Sequence, residues 1–486
     1  MARYATQGAD GTTVPWRDKK RYLWVLGLVV PLTPIVGIAL VEASGQALFF
    51  WLTPVVFFGV IPLIDLVAGY DDTNPPDDVI DALENDKYYR WVTYLYLPVQ
   101  YGGFVAAIWY LATTDMSVVA KVGLAISVGV VGGVAINTAH ELGHKRESVE
   151  RWASKIALAQ TFYGHFYIEH NRGHHVRVAT PEDPASARMG ESVYRFWPRT
   201  VAGSLKSSWE LEAKRYQRKG THPFHLGNDV LNAWLMTVAL WGGLMLWLGL
   251  AYDVNPLGLL PYLVLQAVVG FSLLEVVNYM EHYGMVRQKV GTPGRMRYER
   301  VTPAHSWNSN NIATNVLLYH LQRHSDHHAN PTRRYQTLRD FKDAPVLPTG
   351  YTGMIVVAMF PPVFRALMDK RVVAHYDGDL RLANLQPAKR ERLLRKYPVP
   401  TAEPAGEQAK ADTSAQAFEG EVLAARCPGC GYTYEVAEGN ELEGFAAGTA
   451  WQDIPDDWCC PDCGVREKVD FTAVEPRRHL VGKVGA

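Results

Sequence analysis

Apolar residues crowd the first 280 positions into six runs of about 20 residues, over 22–42, 47–68, 91–112, 118–139, 231–252 and 257–280. As helices, each is long enough to cross roughly 30 Å of hydrocarbon. Polar sequence separates them unevenly. The short loops ASGQ, TTDMS and DVNP carry no Lys or Arg, whereas RDKKRY stands just before the first run. That bias puts the N-terminus in the cytoplasm. The first run has no small-residue cleavage site, so it is expected to be retained as a span. Six crossings return the chain to the side where it began, which makes 140–230 and 281–486 cytoplasmic. A further apolar stretch, YTGMIVVAMFPPVFRALM at 351–368, is interrupted by Pro361 and Pro362. It is expected to lie at the interface or re-enter, because a straight span would lose backbone hydrogen bonds there. Pro31, Pro34, Pro54, Pro62 and Pro98 are expected to kink the first three spans, and Gly129, Gly132 and Gly133 to let the fourth pack closely.

The mean hydropathy of −0.09 hides these runs. At 486 residues the chain is expected to hold more than one domain. The segment 398–420, PVPTAEPAGEQAKADTSAQAFEG, has no apolar period and reads as a flexible linker. Beyond it lies a module that contains all 5 cysteines of the chain. Net charge is −1, and no nucleic-acid partner is expected.

Histidine changes the picture most. His140 and His144 are four apart where the fourth span should emerge, a spacing that brings two side chains to one helical face. The spacing recurs at His170 and His174, with His175 adjacent, and at His324 and His328, with His327 between. His282 ends the sixth span. Imidazole is the commonest metal ligand, and converging pairs from separate helices are how a bundle builds a metal site. These nine positions are too many for one ion and suit two. Glu141, Glu169, Glu281 and Asp326 are candidates to accept the outer N–H of a ligating ring. Glu275 and Asn278 share a face with His282 and are placed near the cavity, since an ionisable group inside a span reads as functional. His320 is a further candidate to support the site.

Two other readings compete. HELGH at 140–144 matches the zinc-protease pattern, with Glu141 as base, but that chemistry needs only one more ligand and leaves the other knots idle. A metal transporter would need polar groups deeper in the spans. In the C-terminal module, Cys427 and Cys430 form one C-x-x-C knuckle and Cys460 and Cys463 another. This tetrahedral thiolate pattern suits zinc or iron alike, with Cys459 left over.

Residues 426–472 strongly resemble rubredoxin, through both CPxCG knuckles, Tyr432, Tyr434, Pro455, Trp458, Lys468 and Phe471. Trp451 and Cys459 depart mildly from that pattern. The resemblance implies one iron on Cys427, Cys430, Cys460 and Cys463 that carries single electrons. HELGHK, EHNRGHH, NYMEHYG and LQRHSDHHA make the preceding chain resemble the integral-membrane alkane monooxygenases. Membrane desaturases and other lipid hydroxylases also use histidine boxes. The three residues between His170 and His174, together with NYMEHYG, favour hydroxylation.

That resemblance implies terminal hydroxylation of linear alkanes to primary alcohols, with O2 as co-substrate and two non-haem irons on the nine histidines. Electrons would come from the fused rubredoxin, itself reduced by an NAD(P)H-dependent rubredoxin reductase. The expected fold is an all-α membrane protein, six transmembrane helices with a cytoplasmic histidine-rich helical cap, plus a small β-rich rubredoxin domain. Its expected parts are 1–397, 398–420 and 421–475, and its expected location is a bacterial inner membrane. Residues 421–472 hold 11 Asp and Glu against 3 Lys and Arg, a net charge of −8, leaving +7 elsewhere. The module is therefore expected to dock electrostatically, with Lys206, Lys214, Arg215, Arg218 and Lys219 supplying part of the basic surface.

Overall fold

The computed structural model describes residues 4–7, 12–292, 295–399 and 422–476. Apart from its first two residues, the linker expected over 398–420 lies outside the described residues. Among the described residues, six helices are long and apolar enough to span a membrane: Leu23–Ser44, Ala47–Ala68, Lys87–Thr113, Val118–Gly143, Asp229–Tyr252 and Pro256–Glu281. Each coincides with one apolar run, and the differences at their ends have local causes. The third begins before its run because the Asp86 carboxylate accepts from the Tyr88 amide. Asn228 caps the fifth in the same way. The fourth continues past its run to Gly143, so His140 sits on a rigid helix.

The fourth span is the central one. In its most apolar window 72% of residues are buried inside the protein, against 22–44% for the other five. Glycine makes this close approach feasible. A Cβ on Gly129 would stand 2.7 Å from the Gln266 carbonyl oxygen, and one on Gly133 would stand 3.0 Å from that of Gly270. Both glycines thus face the sixth span, whereas Gly132 faces Gln160 and Thr161. In the second span the helix widens to a π-turn over Val56–Val60, just past Pro54.

All histidine knots gather at the end of the bundle from which the first span starts. The elements there are the helix Ser148–Ala159, a π-helical turn Glu169–His174, the long helix Val193–Arg218 and the short helix His324–Ala329. The apolar stretch broken by prolines forms two helices, Tyr351–Ala358 and Pro361–His375, bent by 120°.

The C-terminal module is a three-stranded antiparallel sheet in which Ala424–Arg426 lies between Thr433–Glu435 and Thr472–Ala473. Ala425 pairs with Tyr434 on one side and Ala473 on the other. Tyr434, Trp451, Trp458 and Phe471 fill its core. With so small a sheet, this aromatic packing and the cysteine cluster must carry most of the module's stability.

Candidate metal centre

Helix geometry sorts the nine histidines into two buried groups. His140, His144, His170, His175 and His327 form one, and His174, His282, His324 and His328 the other; in each group one nitrogen per ring lies within 4.8 Å of all the rest. His140 and His144 share a group as their spacing predicts. His324 and His328 do too, with Nε2 atoms 2.8 Å apart on α-helical backbone. His327, one residue before His328, turns to the other group and lies 2.7 Å from His140, Nε2 to Nε2.

The middle knot departs from the sequence expectation. Its backbone is π-helical, with the His175 amide donating to the His170 carbonyl five residues back. Residues five apart are therefore neighbours, and His170 pairs with His175 at 3.0 Å between Nε2 atoms. His174, expected on one helical face with His170, joins the opposite group.

These contacts fit metal ions. Imidazoles in three pairs present Nε2 to Nε2 at 2.7 to 3.0 Å. An octahedral edge for bonds of about 2.1 Å is itself about 3.0 Å. The Nε2 atoms of His144, His174 and His282 are buried without a hydrogen-bond partner, a costly state that a metal removes. Burial, reinforced by neighbouring imidazoles, pushes the pKa values of His144, His170, His175, His324, His327 and His328 well down, and that of His282 to about 3. The rings are held in the neutral form that ligates metal.

The acids expected to orient these rings are distributed otherwise. Glu141 pairs with Lys145 at 3.0 Å and accepts from the Tyr335 amide. Glu169 pairs with Arg177 and Asp326 with Arg333, each at 2.9 Å. Local cations have claimed all three. Such a Glu141 does not suit the role of a protease base. Glu275 is held by Tyr163, Thr200 and Asn278. His320 lies against Trp24 and within 3.2 Å of Lys20 Nζ, tying its segment to the start of the first span. The outer nitrogen of His174 is met instead by Asp183, at 2.9 Å, which also accepts from Ser186. Asp183 lies outside every histidine knot, and no sequence signal marked it.

An apolar cavity opens onto the metal groups. Phe57 and Phe58 of the π-turn, with Val134, Leu273, Leu274 and Val277, form its walls, and His140, His170, His324, Asn278 and Glu281 stand at its polar end.

On the other side of the histidines sits the cysteine module. Cys427 and Cys463 Sγ atoms are 3.8 Å apart and those of Cys430 and Cys460 3.5 Å, near the edge of about 3.8 Å in a tetrahedron with 2.3 Å metal–sulfur bonds. Cys459 is outside this cluster, and burial pushes its thiol pKa up. The second knuckle touches the membrane part. A side chain on Gly464 would strike the Asn171 carbonyl, and its Cβ would lie 3.5 Å from that of His175.

Ion pairs surround that contact. Arg146 and Arg151 meet Asp462 at 3.3 and 3.8 Å. Arg172 and Arg218 meet Glu443 at 3.2 and 3.4 Å, and Arg297 and Arg300 meet Asp470 at 3.5 and 2.7 Å. Of the basic residues expected here, Arg218 takes part, Arg215 reaches the Leu442 carbonyl and Lys214 lines the crevice between the two parts. Lys206 pairs with Glu210 in its own helix and Lys219 lies over the Tyr216 ring, so the remaining cations, Arg146, Arg151, Arg172, Arg297 and Arg300, are not among the five expected.

Fold and site together define a membrane oxidoreductase, a six-span bundle with a histidine metal centre at one end and a four-cysteine electron carrier against it. The Fatty acid desaturase family profile matches residues 117–358, and the Rubredoxin profile matches 424–471. Alkane 1-monooxygenase 1 of Alcanivorax borkumensis is 45% identical over 395 residues, 81% of this chain and 95% of that relative. Alkane 1-monooxygenase of Pseudomonas putida is 44% identical over 380 residues, 78% and 92% of the two chains. The xylene/toluene monooxygenase hydroxylase component of Pseudomonas putida is 29% identical over 273 residues, 55% and 68%. The chain belongs to the alkane 1-monooxygenase family.

Proposed function

We propose that the chain hydroxylates the terminal carbon of linear alkanes, RH + O2 + 2 e⁻ + 2 H⁺ giving ROH + H2O, with two irons in the histidine groups and one among the cysteines. The observation that carries this reading is the apolar cavity ending on His140, His170 and His324. An alkane has nothing to hydrogen-bond, so it binds by burial against the apolar walls, with a chain terminus directed to the histidine end. Iron held there supplies O2 reduction and the oxidising power to break a C–H bond.

This chain's residues do the rest. The walls hold the substrate in register and keep water away. Asp183 fixes the His174 ring through its outer nitrogen. Iron held by the four cysteines would carry single electrons, and the Cys463–Gly464 corner, where Gly464 lies against Asn171 and His175, brings that site to the histidines, with ion pairs holding the contact. An NAD(P)H-dependent rubredoxin reductase refills the module. The positive-inside bias supports a cytoplasmic position for this end of the bundle, and the bacterial source of the relatives supports an inner membrane.

Purified chain in lipid nanodiscs, supplied with reductase, NAD(P)H, a linear alkane and ¹⁸O2, tests the proposal. The expected product is the labelled primary alcohol. A desaturated product, or unlabelled alcohol, would overturn it.

A further inference from the structure

Four acids accompany the histidine knots, and three of them are neutralised by a basic side chain. Glu141 has Lys145, Glu169 has Arg177, and Asp326 has Arg333. Glu281 differs. It is 2% exposed, and among the described residues no Lys or Arg pairs with it. Its carboxylate lies 3.1 Å from His324, Oε2 to Nε2. That nitrogen is the one His324 turns toward His328 inside the metal group, whereas His324 Nδ1 is buried without a partner.

The side of the ring decides the role. A carboxylate that only orients a ligating histidine meets the nitrogen pointing away from the metal, as Asp183 does at His174 Nδ1. Glu281 instead meets the nitrogen that His324 turns toward His328, and it lines the apolar cavity beside His324. A buried carboxylate without a cation costs several kcal/mol, and a metal ion is the cation this position can receive.

We infer that Glu281 is itself a metal ligand, giving one carboxylate oxygen to the group of His174, His282, His324 and His328 on the side that faces the cavity. That group has four nitrogen donors against five in its neighbour, and a carboxylate brings the two sets level. It also makes the two ions chemically unequal, one bound by imidazoles and one by imidazoles and a harder oxygen donor. The position is held from behind, where the Trp307 amide donates to the Glu281 carbonyl at 2.8 Å.

This inference rests on the two-iron reading, and the test separates the two. Full-length chain loaded with ⁵⁷Fe(II) is compared with Glu281→Gln by Mössbauer spectroscopy. Wild type is expected to show the thiolate iron and two histidine-bound ferrous components. In Glu281→Gln one histidine component should change its splitting and lose iron to a chelator about tenfold faster, with the thiolate component unchanged. Two histidine components superimposable on wild type would overturn the assignment of Glu281 while leaving the two-iron reading intact. A wild-type spectrum without histidine-bound iron would instead overturn the reading itself. Should Glu281→Gln fail to fold, the infrared difference between metal-free and Fe(II)-loaded wild type decides. Carboxylate stretching bands that shift on loading support ligation, and their absence refutes it.

Discussion

His170 and His175, five residues apart, bring their Nε2 atoms within 3.0 Å of each other, while His174 between them serves the opposite metal group. The π-helical turn produces this crossing, because one turn then takes more than four residues. Adjacent histidines thus fall in different groups.

Coupling between substitutions should expose that division. His174→Ala with His328→Ala removes two donors from one group and should release little more iron than either change alone. His174→Ala with His175→Ala strikes both groups, so its losses should add. Iron content per chain after dialysis, measured for the single and double variants, checks this.

Asp183 orients the His174 ring through its outer nitrogen. Replacing such a partner usually weakens metal affinity by about 10- to 100-fold without abolishing the site. Asp183→Asn should therefore retain iron in buffer and surrender it to a chelator at concentrations that leave wild type loaded. Competition titration provides the measurement.

Glu141 should prove structural. It forms a buried pair with Lys145, and removing one partner of such a pair costs about 3 to 5 kcal/mol. Glu141→Gln should lower the thermal midpoint, and adding Lys145→Met should restore much of it. Hydroxylation in the folded fraction should persist. Loss of turnover at unchanged stability would instead return Glu141 to the chemistry.

Docking of the cysteine module should depend on salt once the tether is cut. Covalent fusion keeps the module at a high effective concentration and so masks a weak contact. With the module added in trans and reductase saturating, turnover should fall steeply as salt rises, and the fused chain should fall far less. Arg300→Glu should weaken the trans reaction most among single changes, because it sets a negative charge beside Asp470, whose side chain is 1% exposed. Stopped-flow oxidation of the reduced module follows both effects.

Much of this molecule could be read along the chain. Lipid imposes a length and a composition on each span, so six apolar runs marked the six helices. Thiolate spacing marked Cys427, Cys430, Cys460 and Cys463, because the knuckles that hold them are local turns. Histidines stood out for the same reason, being dense over a few residues.

Tertiary structure alone decided how those donors are shared. The spacing put His170 and His174 on one face of an α-helix, and the packed chain adopted a π-turn whose hydrogen bonds no local signal specifies. It also decided which acids meet the histidine rings. Proximity in sequence favoured Glu141, Glu169 and Asp326, yet each was neutralised by a cation from its own neighbourhood, and Asp183 reached His174 from outside the knots. Charge pairing depends on what lies within a few ångströms in space. Composition could say only that the module is acidic and the remainder basic; the arginines that meet it come from segments as distant as Arg146 and Arg300, which only the fold brings to one face.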